Sequence, residues 1–258
     1  MPQFLFGIFV FLFGLAWGSF LNVLLFRFNT GESFIGGRSR CFHCSRLLGP
    51  IELIPVLSFI FQGGRCRNCK SKISLQYPLV ELSLGLLYLL FFIKWLGEFG
   101  RLSAIPILIW WFALGFLLLF LSFYDFKHKI LPDKFIFIFF ILAFAGDLFF
   151  LKNSFPSLLL SLTPALFLFL LWFFSGGRAM GLGDSKLMAG AAFFLGWPVI
   201  LEALFFGFWL GAAYGLALLF SRPAVSLKSE IPFGPFLVLG ILLAFFFPQV
   251  LLRYFYII

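Results

Sequence analysis

Charge is what this sequence has least of. Asp, Glu, Lys and Arg make up 11% of its 258 residues, against 62% hydrophobic residues, and the mean hydropathy is +1.09. Soluble domains carry roughly 25% charged residues, so an ordinary globular fold is excluded and a polytopic membrane protein is indicated. Histidine occurs only at His43 and His128, and neither G-x-S-x-G nor H-E-x-x-H is present. Serine-hydrolase and zincin chemistry are thereby removed. The G-x-G-x-x-G fingerprint is also missing, so no cofactor pocket can be read from the chain. No Gly/Ser or charge-run linker divides the sequence, and no internal repeat is evident. Cysteine is confined to four residues in one polar loop.

What the chain has in abundance is long apolar runs. Eight of them lie near 4–26, 77–94, 102–123, 135–151, 155–174, 185–197, 199–220 and 232–252. The fold expected is therefore all-α, a polytopic membrane protein of about eight transmembrane helices with one cytoplasmic zinc-binding loop domain. The first run lacks a basic segment before it and exceeds the apolar core of a signal peptide, so it reads as a retained span. Loops after the first, third, fifth and seventh runs hold fifteen Lys and Arg residues. The remaining segments hold four, at Lys94, Arg101, Lys152 and Arg253. That bias puts the first set of loops in the cytoplasm and the N-terminus outside, with lipid headgroups rather than nucleic acid as the partner of the basic residues. Three parts follow: the first helix at 1–26, a four-cysteine loop at 27–76, and a transmembrane region at 77–258.

The loop carries Cys41-Phe42-His43-Cys44 and Cys66-Arg67-Asn68-Cys69, with 21 residues between the pairs. Two C-x-x-C turns at this separation have the ligand spacing of a tetrahedral site with four thiolates, so Cys41, Cys44, Cys66 and Cys69 are expected to hold a structural zinc ion. An iron–sulfur centre is the other metal option. Disulfides are disfavoured on the reducing side of the membrane.

Ionisable residues inside an apolar chain mark function by default. Asp125 ends the third run, and Asp184 lies 59 residues later, in Met180-Gly181-Leu182-Gly183-Asp184-Ser185-Lys186. The interval contains two runs and a short turn, so the chain crosses and returns, bringing both carboxylates to the cytoplasmic face. Two nearby Asp side chains cannot both ionise cheaply. One can act on water as general base while its partner donates to a scissile carbonyl. Gly181 and Gly183 leave backbone uncovered for an extended peptide. A helix N-terminus and Lys186 favour the anion at Asp184, and a helix C-terminus favours the acid at Asp125. Asp133 is either a helix cap or a support of this site. Glu81 and Glu230 are candidates to line a polar cavity, whereas Asp147 and Glu98 read as solvated caps and Glu202 as an outer-interface residue.

On these residues the chain resembles the bacterial type IV prepilin peptidases, membrane aspartic proteases of the GxGD class. Gly18-Ser19-Phe20-Leu21-Asn22-Val23 with Arg27 is similar to the family's opening motif, followed by the two cysteine turns and Tyr77-Pro78-Leu79-Val80-Glu81-Leu82. Asp125 with Leu131-Pro132-Asp133 resembles the first catalytic motif, Gly181 to Leu187 the second, and Ile231-Pro232-Phe233-Gly234-Pro235-Phe236 completes the series. The resemblance implies that Asp125 and Asp184 are the catalytic pair, and that prepilins and pseudopilins are the substrates, cut at the cytoplasmic face of the inner membrane. It also implies N-methylation of the new N-terminus with S-adenosylmethionine, a second activity that goes with the cysteine loop. Alternatives are a peptidase without methylation, or a membrane ion transporter using the two Asp residues as ligands. Two departures stand out: Phe42 replaces a usual Pro, and Ser185 replaces a usual Val, where its hydroxyl could bond the Asp184 carboxylate.

Overall fold

In a chain this apolar, backbone N–H and C=O groups must find partners inside the chain, and helices supply them locally. The computed structural model describes residues 2–221 and 231–249. It is helical nearly throughout, with no strand among the described residues and only two isolated bridges. Glu230 and the basic residues Arg222, Lys228 and Arg253 lie outside the described residues. The chain divides into two compact units, Met1–Phe116 and Leu117–Ile258.

The first unit begins with α1 (Pro2–Arg27) and, after the cysteine loop with its short α2 (Leu57–Phe61), continues into α3 (Gln76–Glu98). α1 and α3 lie in backbone contact. A Cβ added at Gly18 would stand 2.6 Å from the Glu81 Cα, and one at Gly14 would stand 2.8 Å from the Gly85 Cα. Small residues at such a crossing let helix backbones approach where lipid provides no hydrophobic drive. Buried Asn22 stitches the pair by donating to the Tyr77 carbonyl at 3.1 Å. The first half of α4 (Ile105–His128) completes the unit, with Phe112 stacked on Tyr88 at 4.2 Å between ring centres.

The second unit takes the rest of α4 and then α5 (Asp133–Gly146), which widens into a π turn at Asp147–Leu151. A broken pair follows, α6 (Phe155–Ser161) and α7 (Thr163–Ser175), interrupted where Pro164 removes a backbone donor. α8 (Leu182–Leu195), α9 (Val199–Ser221) and α10 (Gly234–Phe246) complete it. α8 is the centre of the unit. Leu187, Met188, Ala191, Ala192, Phe193 and Phe194 are all buried, covering several of its faces. Phe140 and Phe144 of α5 meet Phe193 edge-on, each at 5.2 Å, and Phe245 of α10 stacks on Phe194 at 4.9 Å.

Helices occupy all eight apolar runs, but six helical segments are long and apolar enough to cross a membrane. α8 with 14 residues and α10 with 13 reach only about 20 Å at 1.5 Å per residue, short of the roughly 30 Å hydrocarbon core. The expected count of eight crossing helices is therefore not met by length. Two of the residues read as surface groups are also corrected. Asp147 is 1% exposed and accepts a hydrogen bond from Asn153 at 2.6 Å, because the chain reverses just beyond the π turn. Glu202 is 2% exposed and accepts from the Gln249 N–H at 2.8 Å.

Candidate active site and metal centre

Asp184 sits where it does because α8 starts two residues before it. Gly181 is the N-cap, and Asp184, in the first turn, reaches back to accept the Gly181 N–H, as an acidic residue at this position of a capping box does. Asp125 approaches from the last turn of α4. Its Oδ2 accepts the Gly234 N–H at 3.0 Å, at the first residue of α10. Both carboxylates are buried, at 5% and 7% exposure, and each lies within the electrostatic reach of the other. Two acids so placed in a medium of low dielectric repel strongly when both are ionised.

Gly234 is the residue that sequence reading missed. A Cβ there would stand 2.7 Å from Asp125 Oδ2, so only glycine lets the α10 N-terminus close on the acid. It belongs to the Ile231–Phe236 motif, yet nothing local ties that motif to Asp125. Its presence removes the helix-end argument for telling the two acids apart. Asp125, expected to feel only the C-terminus of α4, also meets the N-terminus of α10, and both carboxylates are thus held by helix-start N–H groups.

The neighbours are specific. Gly181 is exposed, while Gly183 is covered: a Cβ on it would stand 2.9 Å from the Leu131 Cβ. Lys186 pairs with Asp133 at 2.7 Å rather than with Asp184, joining the first residue of α5 to the second turn of α8. Ser185 donates to the Ala165 carbonyl at 2.8 Å, so its hydroxyl ties α8 to α7. Glu81 belongs to the first unit, where its buried carboxylate accepts the Val56 N–H at 2.7 Å and the Ser19 hydroxyl.

The four cysteine sulfurs, also in the first unit, lie within 4.8 Å of one another. A tetrahedron of roughly 2.3 Å zinc–sulfur bonds separates its sulfurs by about 3.8 Å, and Cys41 Sγ and Cys69 Sγ are 3.8 Å apart. The donor set and its spacing therefore fit zinc. The two turns are copies of each other, offset by 25 residues. Cys41 N–H donates to Arg46 and Cys66 N–H to Ser71, each at 2.9 Å. Ser45 and Lys70 occupy the same left-handed position, at φ 56° and 58°. Bridges Arg40–Leu47 and Arg65–Lys72 close the two turns alike. This repeat escapes sequence comparison because little but the cysteines is shared. Backbone N–H groups of Cys44 and His43 hold the Cys41 thiol down to about 6, and the Ser71 hydroxyl lowers Cys69. His43 thus contributes main chain, with no place among the clustered ligand atoms.

Residues 12–95 match the family model of the bacterial peptidase A24 N-terminal domain, and residues 111–216 that of the type IV leader peptidase family. The chain is 33% identical to a prepilin leader peptidase/N-methyltransferase of Aeromonas hydrophila, over 90% of this chain and 87% of the relative. It is 33% identical to the protein of that name in Bacillus subtilis, over 95% of this chain and 96% of the relative. For the Myxococcus xanthus protein the identity is 34%, over 88% and 67%. No solved structure matches the chain.

Proposed function

The chain belongs to the type IV leader peptidase family, and from that premise we propose that Asp125 and Asp184 form the catalytic pair of a membrane leader peptidase that also N-methylates its product. Its substrates are prepilins, and it is a multi-pass protein of the bacterial inner membrane. The observation that carries the assignment is two buried aspartates on α4 and α8, each fixed by a backbone N–H and each within reach of the other's charge.

The chemistry follows from that pairing. With one proton between them, the ionised carboxylate takes a proton from water as the water oxygen attacks the scissile carbonyl. The protonated partner donates to the carbonyl oxygen, and a proton then passes to the leaving amine. The Gly234 and Gly181 N–H groups each engage an Asp oxygen, which sets the orientation of the carboxyls. Exposed Gly181 offers uncovered backbone to an extended substrate, and Gly183 allows Leu131 to pack beneath the Asp184 turn. The Lys186–Asp133 pair supports the site by tying the two helix starts together.

The transmembrane region 77–258 carries this chemistry. The loop, 27–76, holds the metal and, with the first helix, 1–26, serves the second activity. Zinc on Cys41, Cys44, Cys66 and Cys69 closes a polar loop too small to bury a core of its own. S-adenosylmethionine supplies the methyl group. The bias of Lys and Arg toward alternate loops supports an outer N-terminus and a cytoplasmic active site and zinc loop.

Purified prepilin incubated with the full chain in detergent should lose its leader mass and then gain one methyl when S-adenosylmethionine is added. Asp125→Asn and Asp184→Asn should each reduce leader cleavage by about 10³-fold or more, since each removes one member of an acid–base pair. Near-normal turnover in either variant would refute the pairing.

A further inference from the structure

One stretch of the cysteine loop departs from its polar surroundings. Pro50–Phe61 separates the two cysteine turns and consists of a 3-10 turn (Pro50–Leu53), a reversal at Val56, and α2. Six large apolar side chains in it, Ile51, Leu53, Ile54, Leu57, Ile60 and Phe61, are 42% to 76% exposed. Its one charged residue is turned inward. Glu52, with its side chain only 4% exposed, accepts at Oε2 from the Gly49 N–H at 2.9 Å and from Arg46 at 3.0 Å. Its Oε1 is buried and has no hydrogen-bond partner. The outer face of the segment therefore carries no charge. Apolar side chains gathered this way on a loop that faced only water would be unusual, and they mark a contact surface.

A single contact fixes the depth of the segment. Glu81, on α3, accepts the Val56 N–H at 2.7 Å. α3 is long and apolar enough to cross a membrane, and Glu81 lies about 7.5 Å along it from Gln76 at 1.5 Å per residue. Helical side chains lean toward the helix N-terminus, so the carboxylate reaches back to the edge of the hydrocarbon and Val56 meets it there. Val56 is a β-branched residue at φ 61°, ψ −51°, in a γ-turn closed by Leu57 N–H on the Pro55 carbonyl at 2.6 Å. Such a turn is strained, and it aims the N–H at Glu81. Neighbouring backbone donors are spent within the segment: Ser58 on Ile54, Ile60 on Val56, Gln62 on Ser58 and Gly63 on Ile60, at 3.0 to 3.1 Å. Backbone at the hydrocarbon edge needs this closure, because little water is there to take a donor. Basic residues flank the segment and are absent within it: Arg46 precedes it, and Arg65, Arg67, Lys70 and Lys72 follow. An apolar face bounded by cations is the pattern of a helix lying in an anionic lipid interface.

We propose that Pro50–Phe61 is an interfacial anchor, its apolar face seated in the headgroup–acyl boundary of the bilayer beside the start of α3, with the flanking basic residues on anionic headgroups. The cysteine loop is then held to the membrane at a third point, between its ends at α1 and α3. For the test, the zinc-loaded full chain is reconstituted in vesicles of phosphatidylethanolamine and phosphatidylglycerol. A benzophenone amino acid replaces Phe61 or Ile51, and adducts formed under light are identified by mass. The same probe in place of Leu86, 52% exposed near the middle of α3, sets the yield for full lipid contact. Phospholipid adducts at Phe61 and Ile51 should reach at least about a third of that yield, since the face is buried in the interface. A lower yield would overturn the inference, as would adducts to a second copy of the chain or to added prepilin in place of lipid. Ile60→Glu combined with Phe61→Glu should cut the Ile51 adduct by about fivefold or more, because carboxylates resist insertion, with zinc content unchanged. An undiminished adduct in that variant would equally overturn the inference. Should the variant lose zinc or fail to insert, the yields at Phe61 and Ile51 against Leu86 decide alone.

Discussion

Asp125 takes its hydrogen bond from Gly234, a residue 109 positions further along the chain. The contact leaves no room for a side chain, because a methyl on Gly234 would stand 2.7 Å from Oδ2 and 3.1 Å from Cγ. Gly234→Ala should displace the carboxyl and lower the rate of leader cleavage by about tenfold or more, the penalty expected for misplacing a catalytic group by a fraction of an ångström. The rate is read from leader mass, with membrane insertion unchanged, and a near-normal rate would mean that this N–H does not position the acid. The Lys186–Asp133 pair is a milder case. Both side chains are substantially exposed, at 42% and 72%, so their coupling should be no more than about 1 kcal/mol. A double-mutant cycle with Lys186→Met and Asp133→Asn, followed by thermal unfolding, measures it. Asp133 was readable from sequence only as a cap or a support, since its partner lies 53 residues away. The bond that Ser185 makes to Ala165 was unreadable for the same reason.

Among elements, the cysteine loop shows how much local information can specify. Each turn closes its backbone bonds within ten residues, from Ser39 to Leu48 and from Gly64 to Ile73. C-x-x-C spacing alone therefore predicted that the four cysteines gather. The γ-turn at Val56 is different, because its conformation is held by contact with Glu81 on α3. Strain at such a residue is roughly 1–3 kcal/mol, and the added chain entropy of glycine offsets about 0.5–1 kcal/mol of it. Val56→Gly, which keeps the N–H, should therefore stabilise the loop by about 1 kcal/mol, seen as a rise in melting temperature or slower amide exchange near Glu81. A loss of stability would mean that Val56 packing outweighs the strain. The π turn buries Asp147 by the same kind of distant closure, with Asn153 returning across the end of α5.

For the whole molecule, zinc binding at the four cysteines is expected to depend on pH. Thiolates, not thiols, bind the metal, so protons compete with it and affinity must fall as pH falls. The Cys41 thiol, ordinarily near 9.0, is already held to about 6 by backbone N–H groups. Its contribution to the loop is complete above its unfolded value and disappears as pH falls through about 6. Metal analysis at pH 8 should give one zinc per chain, and dialysis against a chelator at pH 5 should remove it and loosen residues 41–72. Zinc retained unchanged at pH 5, or in Cys66→Ser, would contradict four-thiolate binding. The sequence by itself determined the membrane class, and it marked the four cysteines and the two acids as candidates, because composition, short spacing and an out-and-back span count are properties of neighbouring residues. Tertiary structure decided which helix start grips Asp125, which carboxylate oxygen of Glu52 is left without a donor, and that Lys186 meets Asp133 rather than Asp184. Those depend on closures between residues far apart in the chain, where one missing side chain sets whether backbones meet.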